Sequence, residues 1–228
     1  MGKNTIIAID GHASTGKSTL AKRLASHLGY TYIDTGYMFR VVSYCALEQQ
    51  WISPQGELDL VSLESALPKM QFGWKDSKRH GTRLACNQRV YGMEIRTPEV
   101  AALVSQIAAV ASVRQHLLIQ QRSLAKTKNV VMDGRDIGTV VFPEASHKFF
   151  LTAKAEVRAQ RRYDEMRLKG VDTSFDSVLE NVVKRDHMDE NRAIAPLKQA
   201  VDAITIDTSS MDVEAVFALV CDHLNRPA

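Results

Sequence analysis

A chain of 228 residues fits one domain with room for an inserted subdomain, and its 45% apolar and 24% charged residues are those of an ordinary soluble globular protein; disordered, collagen-like and coiled-coil readings are excluded. The formal charge of +3 is mild for a duplex-binding protein, which is usually more basic and in clusters, and it suits a small anionic ligand. Cys45, Cys86 and Cys221 lie far apart, are odd in number and form no C-x-x-C, so neither a disulfide framework nor a zinc site is supported and a reducing cytoplasm is expected.

The first residues lead straight into a short apolar run and then glycine, without the longer apolar core of a secretory signal. Residues 5–10 are a β-branched run without alternation, which predicts a strand buried on both faces, as in a parallel sheet. A glycine loop follows. Leu20, Ala21, Leu24, Ala25 and Leu28 then recur at helical spacing, and Gly29 supplies a C-terminal stop. Residues 30–33 read as a second short strand ending in Asp34-Thr35-Gly36.

From about residue 58 to 95 the signals are for strands. Met70, Phe72 and Trp74 alternate, 76–81 is a polar turn, and 83–95 holds two further short candidates. This predicts a small antiparallel sheet inserted into an α/β chain. Thr97-Pro98-Glu99 has the N-cap, first-turn proline and first-turn acid of a helix running to about residue 109. Ser112 with Gln115 has the form of a capping box and starts another. The weakly polar stretch 101–113 is broken by Ser105, Gln106 and Ser112, and is too short and too polar to span a membrane.

Residues 129–132 form a buried-strand pattern ending in Asp133-Gly134-Arg135-Asp136, and 147–151 form another. Charged helices are expected over 154–169 and 177–191, a last strand over 203–206 and a last amphipathic helix over 212–224. Strands alternating with helices imply an α/β fold: a parallel sheet with helices on both faces.

Gly11-His12-Ala13-Ser14-Thr15-Gly16-Lys17-Ser18 fits G-x-x-x-x-G-K-[ST] between a buried strand and a helix, the context that pattern requires. Glycines let backbone N–H groups turn inward around phosphate oxygens, and the following helix adds its positive end. Lys17 can reach the β- and γ-phosphates, and Ser18 can ligate Mg²⁺. The loop identifies a P-loop nucleotide-binding protein but is shared by switches, ATPases and small-molecule kinases. Asn-Lys-x-Asp is absent, which lowers the GTPase reading, and the chain is short for a motor or helicase.

Several segments together resemble the bacterial cytidylate (CMP) kinases. They are Ile9-Asp10-Gly11, Gly16-Lys17-Ser18-Thr19, Asp34-Thr35-Gly36, Arg40, Ile95-Arg96-Thr97, Ser105-Gln106, Val113-Arg114, the run from Asp133-Gly134-Arg135-Asp136 to Phe142-Pro143, and Asn191-Arg192-Ala193-Ile194-Ala195-Pro196-Leu197. The last two are the most specific. The chain departs from the family's usual pattern at His12, often proline there, and at Asp186-His187-Met188-Asp189-Glu190, often more acidic and arginine-rich. The more expected role of His12 is that of a loop-surface residue, not a catalytic one.

The resemblance implies a P-loop nucleoside monophosphate kinase fold, with a small antiparallel β subdomain and a helical lid. One kinase domain would comprise a core of 1–57, 97–152 and 193–228, a CMP-binding insertion 58–96 and a lid region 153–192. It implies transfer of the γ-phosphate of ATP to CMP or dCMP with Mg²⁺, by a cytoplasmic monomer with no nucleic-acid or membrane partner. ATP would lie against residues 11–19, Thr19 included.

Such transfer needs alignment and charge cancellation more than covalent chemistry, so converging arginines, a lysine and Mg²⁺ are expected. Lys17 follows the transferring group and Ser18 holds the metal. Asp133, at a strand end, is placed to orient the metal's water shell, or is a turn residue. Arg158, Arg161 and Arg162 share one helix face. By resemblance they belong to the lid and close over the phosphates, Arg158 toward ATP; alternatively Glu156, Asp164 and Glu165 pair with them on a solvated face. Arg185, Asp189 and Arg192 are spaced i, i+4 and i+7, again one face. By resemblance Arg185 and Asp189 meet the ribose of CMP and Arg192 its phosphate, the alternative being a simple i, i+4 pair. Arg40 and Arg135 are further candidates for the acceptor phosphate. By resemblance Asp136 accepts from the cytosine amine, and Ser105 and Arg114 complete base recognition; Ser105 could instead bond its own helix backbone. Thr35 is a candidate acceptor-site contact. The rival readings are another small-molecule kinase, a nucleotide-dependent switch without turnover, and a nucleic-acid-binding protein, the last disfavoured by the modest charge.

Overall fold

The computed structural model describes residues 4–76 and 82–225. The first strand, β1 (Ile6–Gly11), leads through the glycine loop into α1 (Lys17–Leu28), and β2 (Thr31–Asp34) follows. Asp34 then starts α2 (Thr35–Glu48) by accepting a hydrogen bond from the Tyr37 amide at 2.9 Å, as an N-cap aspartate does. This helix is not among the elements expected from the sequence. Its signal was the Asp at the end of a strand followed by a mixed apolar run.

The segment 58–95 is only partly the strand region expected. Asp59 caps a short helix, α3 (Leu60–Ala66), by accepting from the Ser62 amide at 3.1 Å, and a 3₁₀ turn Leu67–Lys69 follows. The alternating residues then form β3 (Phe72–Lys75), antiparallel to β4 (Arg83–Cys86). The second strand expected within 83–95 is instead a 3₁₀ turn, Met93–Arg96. A short apolar run does not tell strand from helix by itself, and at residues 60–66 the capping Asp59 decided. The polar turn expected at 76–81 lies outside the described residues except for Asp76.

Thr97 caps α4 (Pro98–Ala109) with proline at its start, as the sequence predicts. Helix α5 (Ala111–Leu124) begins one residue before Ser112, and its N-cap is Val110 without a side-chain bond. The Ser112–Gln115 capping box is therefore not formed: Ser112 lies inside the first turn, and its buried hydroxyl has no partner among the described residues. The chain continues through β5 (Val130–Asp133), a π-helical turn Ile137–Val141, β6 (His147–Thr152), α6 (Ala155–Leu168), α7 (Phe175–Asn191), β7 (Ile204–Asp207) and α8 (Val213–Leu224).

The described residues of Met1–Ile33 with Lys128–Ala228 form one compact unit, and those of Asp34–Thr127 form another. The first is built on a five-stranded sheet in the order β2-β5-β1-β6-β7. β1 pairs in parallel with β5 and β6, and β6 with β7. Strand geometry sends alternate residues to opposite faces. Ile7 and Ile9 join Val131, Phe149, Leu151 and Ile206 against Leu20 and Leu24 of α1 and Val216 and Val220 of α8. Asp10 faces the other way and accepts from the amides of Ile137 (2.8 Å) and Gly138 (2.7 Å), capping the π-helical turn. A satellite core of Ala159, Val178 and Val182 joins α6 to α7. The second unit packs α2, α4, α5 and the β3–β4 pair around residues such as Met38, Val42, Ile107 and Leu117. Among the described residues no single helix is long and apolar enough to cross a membrane.

Candidate active site

The phosphate loop is set by two glycines. A Cβ on Gly11 would lie 1.9 Å from the Leu151 carbonyl oxygen, so only glycine lets β1 end against β6. Gly16, at φ 91°, turns the chain into α1 in the left-handed region that a side chain resists. No side chain caps α1, so its first amides keep their capacity for an anion.

Lys17 is buried. Its Nζ donates to the His12 carbonyl and, at 3.3 Å, to Thr15 Oγ1. Burial, then the Arg135 charge, drives the Lys17 pKa well below the usual lysine value, against the opposite pull of Asp133 and Asp10. The Ser18 hydroxyl donates to Asp133 Oδ2 at 2.7 Å, and the Tyr32 hydroxyl donates to Asp133 Oδ1 at 2.8 Å. The structure thus joins two residues 115 positions apart in sequence, Ser18 and Asp133. Tyr32 was not singled out from the sequence, since only strand order reveals that β2 runs beside β5.

A second cluster forms where the Asp133-Gly134-Arg135-Asp136 turn meets α7. Arg135 Nε donates to Asp189 Oδ2 at 2.8 Å. Burial opposes the Arg135 charge, yet Asp189, with Asp133 and Asp186, holds its pKa above the usual arginine value. Burial likewise opposes the Asp189 carboxylate, but Arg135, Arg185 and Arg192 outweigh it and keep its pKa below the ordinary value. Arg192 lies 3.9 Å from Asp189 Oδ1 and 3.4 Å from Asp136 Oδ1, and its Nε donates to the Ala195 carbonyl at 2.7 Å. The i, i+4, i+7 spacing predicts one helix face for Arg185, Asp189 and Arg192. The helix ends at Asn191, and Arg192 is an extended residue beyond it. Arg192 nevertheless returns to Asp189, because Ala195 adopts a left-handed conformation (φ 49°) and lets the chain fold back.

Asp10 stands in the Ile9-Asp10-Gly11 segment, but the sequence gives it no role of its own. Burial pushes its pKa up to about 6, although the two amides it accepts from pull it down. By holding the amides of Ile137 and Gly138 it fixes the turn directly after Asp136.

The α6 arginines divide. Arg158 is buried, donates from Nε to the Ala153 carbonyl at 2.9 Å, meets Asp186 of α7 at 2.6 Å and reaches the Ala13 carbonyl of the phosphate loop at 3.5 Å. Arg161 donates to Thr208 Oγ1 (3.0 Å) and to the Thr208 carbonyl (2.6 Å). Arg162 pairs with Glu165 of its own helix at 3.3 Å. In the phosphate loop, His12 Nε2 lies 2.6 Å from Glu190 Oε1.

The second unit carries the remaining candidates. Thr35 is buried in the first turn of α2, and Arg40 is half-buried on the same helix. Ser105 is buried on α4. Arg114 is buried on α5, donates to the Ala108 carbonyl at 3.2 Å, and sits 5.5 Å from the centre of the Phe39 ring.

A parallel sheet whose first strand opens into a phosphate loop, with a serine and a strand-end aspartate joined behind it, defines a P-loop nucleotide-binding protein. The cytidylate kinase family model matches residues 7–226. Cytidylate kinases of Flavobacterium psychrophilum and Flavobacterium johnsoniae are 46% and 47% identical to the chain, over 98% of it and 99% and 97% of their own lengths. That of Clostridium botulinum is 44% identical over 98% of the chain and 99% of its own length. Among solved structures, a shikimate kinase from Bacteroides thetaiotaomicron matches with a TM-score of 0.50 at 12% identity, covering 97% of this chain and 99% of its own; at that identity the likeness is one of fold. The chain belongs to the cytidylate kinase family.

Proposed function

We propose that the phosphorylation of CMP and dCMP by this chain proceeds by direct in-line transfer of the γ-phosphoryl group of ATP, with the donor in the phosphate loop and the acceptor phosphate at the Arg135–Asp189–Arg192 cluster. The observation that carries this reading is the burial of Lys17 beside that cluster, with its ammonium disfavoured by Arg135. A polyphosphate would add negative charge beside Lys17, where Asp133 and Asp10 only partly offset burial and Arg135. The acceptor is a phosphate oxygen largely ionised at neutral pH, so no general base is needed. Catalysis is then alignment and relief of repulsion between two polyanions.

Lys17 turns from the His12 carbonyl to the phosphate oxygens. Ser18 and Asp133 offer hard oxygen donors 2.7 Å apart, a set that suits Mg²⁺, which keeps most of its ligands as water and phosphate. The residues therefore fit the ion: Ser18 would hold it and Asp133 would orient its water shell. When bound, it would neutralise charge on the phosphates. Arg192 and Arg135 bind the acceptor phosphate, with Arg40; Arg185 and Asp189 take the ribose. Asp136 accepts from the cytosine amine, and Ser105 and Arg114 donate to the ring, with Thr35 an added acceptor contact. Uracil would leave such groups unpaired, which gives discrimination. Arg158, Arg161 and Arg162 act as the lid arginines. That role requires Arg161 to exchange Thr208, and Arg162 to exchange Glu165, for phosphate oxygens. Lid 153–192 and insertion 58–96 close to exclude water, since ATP hydrolysis competes. The enzyme serves nucleotide recycling as a cytoplasmic monomer.

The test is ADP release from ATP and Mg²⁺ with CMP, dCMP, UMP and AMP as separate acceptors. Rapid turnover with CMP and dCMP and poor turnover with UMP is expected. Comparable turnover with UMP would discard the roles given to Asp136, Ser105 and Arg114.

A further inference from the structure

Helix α7 turns two neighbouring faces to two different groups. Asp186 and Glu190, one turn apart, share the face toward the phosphate loop. Glu190 meets His12 of the loop at 2.6 Å. Asp186 meets Arg158 at 2.6 Å, and Arg158 reaches the Ala13 carbonyl of the loop at 3.5 Å. Asp189 is one residue away, rotated by about 100° around the helix, and it faces Arg135. One helix is thus tied to the donor loop and also carries an acceptor contact.

His12 sits where these ties cross. Its carbonyl accepts from Lys17 Nζ, and its ring stands edge-on to Phe150 at 6.2 Å. Its side chain is only 16% exposed, and Nδ1 is buried with no hydrogen-bond partner among the described residues. With the proton on Nε2, the ring donates to Glu190 and leaves only a lone pair at Nδ1, so no buried donor is stranded. The phosphate motif uses the backbone of this position, which leaves the imidazole without a task in it.

We propose that the His12 side chain is a positioning residue that couples the two nucleotide sites: it ties the phosphate loop to α7 through Glu190, so that filling the loop fixes the helix that holds the acceptor. This rests on the acceptor roles given above to Asp189 and Arg192. A polyphosphate draws Lys17 off the His12 carbonyl and orders the loop around itself. The ring passes that order to Glu190. The acceptor then meets a helix already fixed and loses less freedom on binding, which is positive coupling, and the effect runs equally in both directions. The Arg158–Asp186 tie is buried and costly to break. The His12–Glu190 tie is partly exposed, so it can form and open readily.

CMP titration calorimetry with and without a saturating magnesium complex of a non-hydrolysable ATP analogue tests this. Wild type, His12→Ala, Glu190→Ala, the double variant and His12→Gln are compared. In wild type the analogue tightens CMP binding. Either alanine variant reduces that enhancement by about 2–5-fold, the range for a partly exposed pair. The double variant loses no more than a single one. His12→Gln, whose amide nitrogen reaches the same carboxylate, restores most of it. CMP affinity without the analogue moves by less than about 2-fold. A wild-type enhancement of one, equal enhancement in all variants, additive losses, or a uniform loss of CMP affinity in both states overturns the coupling. Arg192→Ala in the same titration reads the underlying assignment separately: wild-type CMP affinity there defeats the acceptor site itself. Weakened binding there, with enhancement intact in His12→Ala, defeats only the role of His12.

Discussion

In α7, Asp189 is buried against Arg135 and Arg192, and Asp186 meets Arg158. In α6, Arg162, and Lys169 at the helix's C-terminal cap, both turn to Glu165 in contact with solvent. The two helices look alike in sequence: both are charged, and both place arginines and carboxylates at helical spacing. What separates the pairs, with Arg158–Asp186 joining the two helices and Arg162–Glu165 lying along one, is whether a charge meets its partner across a packed interface or along its own surface. A cross-element pair fixes the position of one element against another. An i, i+3 or i, i+4 surface pair fixes little and is worth a few tenths of a kcal/mol.

The sharpest form of that contrast is Lys17, whose charge is buried beside Arg135 and only partly offset by Asp133 and Asp10. Lys17→Ala should abolish CMP-dependent ADP formation, a loss of about 10³-fold or more in kcat, with the fold intact by circular dichroism. Activity equal to wild type would remove the phosphate loop from the reaction.

Next comes Asp189→Ala, which leaves Arg135 and Arg192 without their shared carboxylate. Breaking a buried pair costs about 3 kcal/mol, which for a chain of this size lowers Tm by roughly 6–12 °C. kcat/KM for CMP should fall about 10–100-fold, with KM for ATP little changed. An unchanged Tm would place this pair with the surface pairs of α6.

Asp10 probes burial by pH. Its folded-state pKa, raised to about 6, lies above the ordinary carboxylate value of 3.8. A carboxyl with a raised pKa contributes stability that is fully present below about pH 4 and is lost as pH rises through about 6. Asp10→Asn cannot ionise and should lack that loss. The Tm of the variant relative to wild type should therefore rise by several degrees between pH 4 and pH 7. A constant difference across that range would show that Asp10 stays ionised throughout.

The smallest effect belongs to Arg162→Ala. With Glu165 as its one counter-charge among the described residues, Tm should stay within about 1–2 °C of wild type. Its kinetics separate the static pair from a lid arginine. Loss of kcat with KM unchanged would show that Arg162 leaves Glu165 during turnover.

Much of the site was legible because its signals are local. The glycines and Lys17 of the phosphate loop, the Thr97 cap with Pro98, and the strand runs that became β1, β5, β6 and β7 all depend on neighbours within a few positions. Segment 58–95 was legible only in part. Its alternation at Phe72 and Trp74 is real, but Asp59 caps a helix where strands were expected, and short apolar runs fit either state. The same limit appears at Ser112. A sequence with the form of a capping box lies inside a helix whose start was set one residue earlier.

By itself, then, the sequence determined the phosphate loop, the family and the order of elements outside α2 and segment 58–95, because backbone propensity, capping and contiguous motifs act over short distances. Only the tertiary structure decided which charges are buried together. Tyr32 and Ser18 share Asp133 because β2 runs beside β5 in the sheet. Asp10 holds the turn after Asp136 because the pleat of β1 points it there. Arg158 meets Asp186, and His12 meets Glu190, because α7 folds back against the loop. The strength of a charge depends on its solvent exposure and on partners far away in the chain, and neither quantity is written in local sequence.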